Sequence, residues 1–144
     1  MSALKSTYKI LPEYNLIIEI HKGILEVESY INFKIKLSQD SSFKANMNNF
    51  INFRNVEFNT TPADVQKFVD FIKNSAPTLG KRKVTLLTDT PNQVVNTTIY
   101  KTLLAGVSND IEIFSMTNAA LNWLLKVKDT KEILDIIATL EQNI

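Results

Sequence analysis

The 144-residue chain has no cysteine, one histidine, one tryptophan, three glycines and four prolines. Without cysteine there is no disulfide framework, no thiolate nucleophile and no cysteine-ligated zinc or iron–sulfur site. A lone His21 leaves a transition-metal site without a second imidazole. Three glycines are too few to build a phosphate cradle or a dinucleotide fingerprint, and neither pattern occurs. No cofactor is expected. A dominant sign of charge is missing as well, since 16 basic and 15 acidic residues leave a formal net charge of +1. The basic cluster Lys81-Arg82-Lys83 precedes an apolar run and reads as a solvated loop. Nucleic acid needs a longer basic stripe that can displace many counterions. No apolar run approaches the ~20 residues of a membrane span. The opening Met1-Ser2-Ala3-Leu4-Lys5-Ser6 lacks the apolar centre of a signal peptide. The expected location is cytoplasmic.

What remains is an ordinary globular composition, 44% apolar and 22% charged, in a length that suits one domain over residues 1–144. Two short β-rich runs, Tyr8–Leu11 and Leu16–Ile20, flank Pro12-Glu13-Tyr14-Asn15 and predict a hairpin, with Gly23 ending its second strand. From Leu25 to Leu37 the period becomes helical, with Val27, Ile31 and Ile35 as the stripe. Ser38 to Asn49 reads as a loop.

Three β–α units follow. Strands are expected at Phe50–Phe58, Val84–Leu87 and Ile111–Phe114, and helices at 62–75, 91–105 and 118–127. Gly106 is placed as the cap of the middle helix. A final helix over residues 129–142 carries the stripe Ile133, Ile136, Ile137 and Leu140, entered through Asp129 with Glu132 three residues on. That stripe must bury against this domain or against a second copy. The order predicts an α/β fold. One mixed, mostly parallel sheet of about five strands carries an N-terminal hairpin, four flanking helices and an extra C-terminal helix.

Two helix starts share a device. Thr61-Pro62-Ala63-Asp64 and Thr90-Pro91-Asn92-Gln93 each place Thr at the cap, Pro at the first helical position and an acceptor at the third. Thr117 is expected to cap a third helix. Such caps gather at the carboxyl edge of a parallel sheet, where ligands and partners bind. The candidate edge is therefore Asn59, Thr60, Thr61, Thr88, Asp89, Thr90 and Gln93. The missing amides of Pro62 and Pro91 and the charge of Asp64 speak against an anion cradle there.

Catalytic readings start from His21 and Asp89. No Gly-x-Ser-x-Gly elbow accompanies His21, so a surface or hydrogen-bonded structural role is expected of it. Asp89, at a strand end, reads as a turn aspartate. Trp123, Tyr30 and Tyr100 are amphipathic flanking residues, the tyrosines being candidates to border a pocket. No catalytic residues are assigned.

The segment Asp110-Ile-Glu-Ile-Phe114-Ser-Met-Thr-Asn-Ala119-Ala120-Leu-Asn-Trp123-Leu124 resembles the closing strand and helix of the SpoIIAA-like (STAS/SEC14-type) domains of the STAS fold. Phe50-Ile-Asn-Phe-Arg54-Asn-Val56-Glu-Phe58-Asn-Thr-Thr61 is similar to the strand leading into that fold's regulatory loop. The likeness spans residues 7–127 and leaves the last helix outside. In anti-sigma-factor antagonists of this fold the loop ends in Asp-Ser-Ser-Gly and is phosphorylated on Ser. Here it reads Asn59-Thr60-Thr61-Pro62, which leaves Thr60 and Thr61 as the hydroxyls a kinase would find.

The resemblance implies a non-enzymatic regulatory or protein-interaction module; the stripe of the last helix, outside the likeness, adds a homodimer through that helix as a partner reading. The alternative the resemblance implies is a small apolar-ligand or lipid-binding domain with a pocket lined by Phe33, Phe53, Phe68 and Tyr100. An enzyme centred on His21 and Asp89 ranks third.

Overall fold

The computed structural model describes residues 1–107 and 109–144. β1 (Lys5–Leu11) runs into a 3-10 turn, Pro12–Tyr14, and returns as β2 (Leu16–Leu25). Asn15 closes the turn at φ 51°, a left-handed conformation that asparagine tolerates. α1 (Val27–Ser38), β3 (Asn48–Phe58), α2 (Pro62–Asn74), the short α3 (Ala76–Leu79), β4 (Arg82–Leu87), α4 (Pro91–Leu103), β5 (Asn109–Phe114), α5 (Thr117–Leu124) and α6 (Lys131–Asn143) follow.

The sheet order is β1-β2-β3-β4-β5, antiparallel for the first pair and parallel thereafter. A monotonic parallel order with right-handed crossovers puts every crossover helix on one face. Helices α1, α2 and α4 accordingly cover Ile51, Phe53, Val84 and Leu86. The opposite face, with Leu16, Ile18, Ile20, Phe50 and Leu87, is covered by α5 and α6. The expected fold class is the observed one.

Five local expectations are corrected. Gly23 lies inside β2, which continues to Leu25 past a register shift between Ile20 and Lys22. At φ 107° it adopts a backbone that other residues avoid, and an added Cβ would lie 2.5 Å from the Ala3 carbonyl oxygen. α1 is rotated relative to the predicted stripe. Tyr30, Lys34 and Leu37 are buried while Ile35 is exposed, because Lys34 pairs with a carboxylate on the sheet beneath.

Thr117 is the first residue of α5 and does not cap it; its hydroxyl accepts from Arg54 Nη2 at 3.2 Å. Asp129 and Glu132 form no capping box. Asp129 accepts the Lys131 amide, and Glu132 accepts the Tyr14 hydroxyl at 2.8 Å. Finally, Lys81-Arg82-Lys83 is no solvated loop. β4 begins at Arg82, so strand alternation turns Arg82 inward, while Lys83 lies 4.9 Å from the Trp123 ring centroid on the other face.

The α6 stripe goes into the chain's own core. Ile133 and Ile137 are buried, with Ile136 and Leu140 packed partly against the same cluster.

Candidate functional site

The two Thr-Pro starts form as expected. Thr61 accepts the Asp64 amide at 3.2 Å while Asp64 accepts the Thr61 amide at 2.9 Å. Thr90 accepts the Gln93 amide at 3.3 Å, and Gln93 Oε1 accepts the amides of Thr90 and Asp89. Gln93 does more than a cap requires: its Nε2 donates to the carbonyls of Arg54 and Val56, tying α4 to the end of β3. Thr60 donates to Asn96 Oδ1 at 2.7 Å, and Asn59 donates to Glu26. Thr88 is buried, its amide donating to Phe114 across the sheet, and Asp89 is exposed.

The expected edge residues thus collect at one end of the sheet. Thr90 and Gln93 line an open groove of about 820 Å³ together with Lys22, Arg54, Glu57 and Glu141. Three exposed apolar side chains stand at the same end, Val94 and Val95 in the first turns of α4 and Met116 between β5 and α5.

Beneath α1 lies a second arrangement, which sequence reading missed. Alternation along β2 puts Ile17, Glu19 and His21 on one face, and the hairpin register sets Ser6 opposite His21. Glu19 is fully buried and receives Asn49 Nδ2 at 2.6 Å, His21 Nε2 at 2.9 Å, the Tyr30 hydroxyl at 3.0 Å and the Lys34 ammonium. Burial alone would raise the Glu19 carboxyl. Lys34 and His21 outweigh it and hold the group well below the usual carboxylate range.

Burial lowers His21 despite the pull of Glu19, so its imidazole is neutral at pH 7. With Nε2–H directed at the carboxylate, Nδ1 accepts the Ser6 hydroxyl at 2.7 Å. The ring lies among Tyr30, Phe33 and Phe53, with centroids 4.9–5.5 Å away.

Ser6, His21 and Glu19 stand in the order of a nucleophile, base and acid. The chemistry of such a relay needs an imidazole that takes up a proton. A dry aromatic surround works against this. Both His21 nitrogens are engaged within this cluster, in the hydrogen-bonded structural role expected of it, and Asp89 bonds to neither, so the third-ranked His21–Asp89 centre is not assembled.

Of the expected pocket lining, Phe53, Phe68 and Tyr100 border a cavity of about 60 Å³ between the sheet and α2 and α4. Phe33 does not line it and packs instead on Tyr8 and His21. Drug-sized ligands occupy at least about 300 Å³, so this cavity is far too small for a lipid chain. Lys34 and Arg82 both border it, and both also border a neighbouring cavity of about 100 Å³ under α1, α2 and α3.

No protein-family model matches the chain, and no curated protein is significantly similar to it. Among solved structures, an uncharacterised protein of the DUF3478 family from Shewanella loihica PV-4, described as having a SpoIIAA-like fold, superposes with a TM-score of 0.54. The two share 12% identity over 86% of this chain and 98% of the other. The protein therefore has a SpoIIAA-like fold of the STAS type. At that identity the likeness extends to the fold alone.

Proposed function

We propose that the protein is a non-enzymatic regulatory or interaction module whose partner-binding face is the carboxyl edge of the sheet. The observation that carries this reading is the groove beside Thr90 and Gln93. It offers both signs of charge through Lys22, Arg54, Glu57 and Glu141, and Met116, 65% exposed, stands at the same end. Polar walls with apolar anchors are what a partner surface uses to fix register and gain affinity. The capped, cross-tied loops supply rigidity, which lowers the entropic cost of binding.

A phosphate on Thr61 would meet the Asp64 carboxylate, and one on Thr60 would displace Asn96, so either modification would reshape this edge. The test is a photo-crosslinking residue placed at Glu57 or Val95 in the source cell. Discrete adducts are expected at both positions and not at Lys73, an exposed position in the last turn of α2. Equal labelling at all three positions would count against the assignment.

A second reading, a small-ligand domain, is supported by the apolar cavity that Phe53, Phe68 and Tyr100 border. Its size restricts the ligand to a few heavy atoms.

A further inference from the structure

Arg82 is the most anomalous side chain in the molecule. It is 5% exposed, it borders the cavities on both sides of it, and among the described residues its Nε has no hydrogen-bond partner. Among the described residues no carboxylate lies within ion-pair distance of it. The buried ionisable side chains are Glu19, His21, Lys34 and Arg82, and His21 is neutral. Burial also lowers the Lys34 ammonium, which is bonded to Glu19. Glu19 is already engaged by Lys34, His21, Tyr30 and Asn49. A guanidinium cannot shed its proton, as a lysine or histidine can, so Arg82 stays charged with no carboxylate of the described residues in contact with it.

Among the described residues Asn49 Oδ1 and Thr85 Oγ1 are also buried without a partner, but both are neutral acceptors or hydroxyls, and the remaining buried polar arrangements are closed on themselves. Glu19 has four donors, Gln93 uses both ends of its amide, and both caps are reciprocal. An open valence at Arg82, on the wall of a space, calls for an anion. The surroundings restrict its kind: Ile51, Phe53, Val65, Phe68, Val84 and Leu86 line the same cavity. A doubly charged phosphate would lie against carbon on most sides, whereas a monocarboxylate presents two oxygens to the guanidinium fork and carbon elsewhere.

We infer that the cavity at Arg82 is a binding site for a small aliphatic monocarboxylate whose head pairs with the Arg82 guanidinium and whose short chain lies among Phe53, Phe68 and Leu86. The inference narrows the small-ligand reading above. A cavity of about 150 Å³ holds the six carbons of benzene, so about 60 Å³ fits an acid of roughly two or three carbons. Tyr30 and Tyr100 also border the space. Burial keeps both phenols protonated; Tyr30 gives its proton to Glu19, which leaves Tyr100 with a hydroxyl proton to offer an anion. Lys34 gives one bond to Glu19 and retains further donors.

The test uses the whole chain and the sodium salts of acetate, propionate, butyrate, valerate and octanoate. Chloride, phosphate and the neutral alcohol butanol serve as controls. Binding is read from the ¹⁵N–¹H resonance of Arg82 Nε and from the thermal midpoint. Saturable movement of the Arg82 resonance and a rise in midpoint are expected with the short acids, strongest with acetate and propionate. The Arg82→Met variant, which replaces the charge with a chain of similar shape, is expected to fold and to bind at least tenfold more weakly.

No saturable movement of the wild-type resonance with any acid overturns the inference, whatever the variant does. Equal response to chloride or phosphate overturns the carboxylate assignment, and tight octanoate binding overturns the size class. Butanol and the acids binding equally to wild type and Arg82→Met would leave the small-ligand reading standing while removing the anion site.

Discussion

Glu19 and His21 lie two residues apart on β2, point to the same face, and are joined by a 2.9 Å hydrogen bond inside the protein. An acidic and a basic group on the inward face of a central strand are costly unless they serve each other. Here they do, with Ser6 completing the chain on one side and Lys34 on the other.

Burial of this pair makes stability fall on acidification. Burial depresses the folded-state pKa of His21 below its ordinary 6.5, so the unfolded chain binds the extra proton first as pH falls. Stability is expected to drop below about pH 6.5 with a slope approaching 1.4 kcal/mol per pH unit. A second loss follows below pH 4.5, where the unfolded chain protonates Glu19 while the folded chain resists. Urea titrations from pH 8 to 4 measure both. The His21→Gln variant is expected to flatten the first slope, and an unchanged slope would refute its assignment to His21.

Lys34 and Glu19 are coupled. Lys34→Met leaves a buried carboxylate without its strongest partner and is expected to cost about 3–5 kcal/mol. Adding Glu19→Gln is expected to recover part of this, giving a coupling of about 1–3 kcal/mol in a double-mutant cycle. Additive losses would show that the pair does not interact.

Gln93 is expected to matter more than either capping threonine. Thr61→Ala and Thr90→Ala should each cost about 1 kcal/mol. Gln93→Leu orphans the Arg54 and Val56 carbonyls as well as two loop amides, and about 2 kcal/mol or more is expected. The comparison is made by equilibrium denaturation.

The glycines rank by surroundings. Gly23 and Gly106 both have positive φ, but a Cβ at Gly23 would collide with the Ala3 backbone, whereas none of the described atoms lies within 4 Å of one at Gly106. Gly106→Ala should therefore show only the backbone strain of about 1–2 kcal/mol, and Gly23→Ala clearly more.

Much of the fold was legible because period and punctuation agree along the chain. The Thr-Pro-x-Asp and Thr-Pro-x-Gln starts are local devices and formed as read. Where reading failed, a tertiary partner decided. The phase of α1 follows Lys34, whose ion pair lies 15 residues away on β2, and no stripe count along the helix reveals it. Arg82 was taken for loop charge because its neighbours are lysines. The register that makes it the first inward residue of β4 is set by its pairing with Asn109. The Ser6–His21–Glu19 series was accessible in principle, since a hairpin closed by Asn15 sets the two strands in register and alternation does the rest.

The central claim is that the carboxyl edge holds a partner, and native mass spectrometry of the protein gently isolated from its source cells tests it most directly. A species heavier than the bare chain by a second polypeptide is expected, depleted in the Glu57→Lys and Val95→Asp variants although both remain folded. A bare chain in the wild type, or a complex equally abundant in both variants, would contradict it.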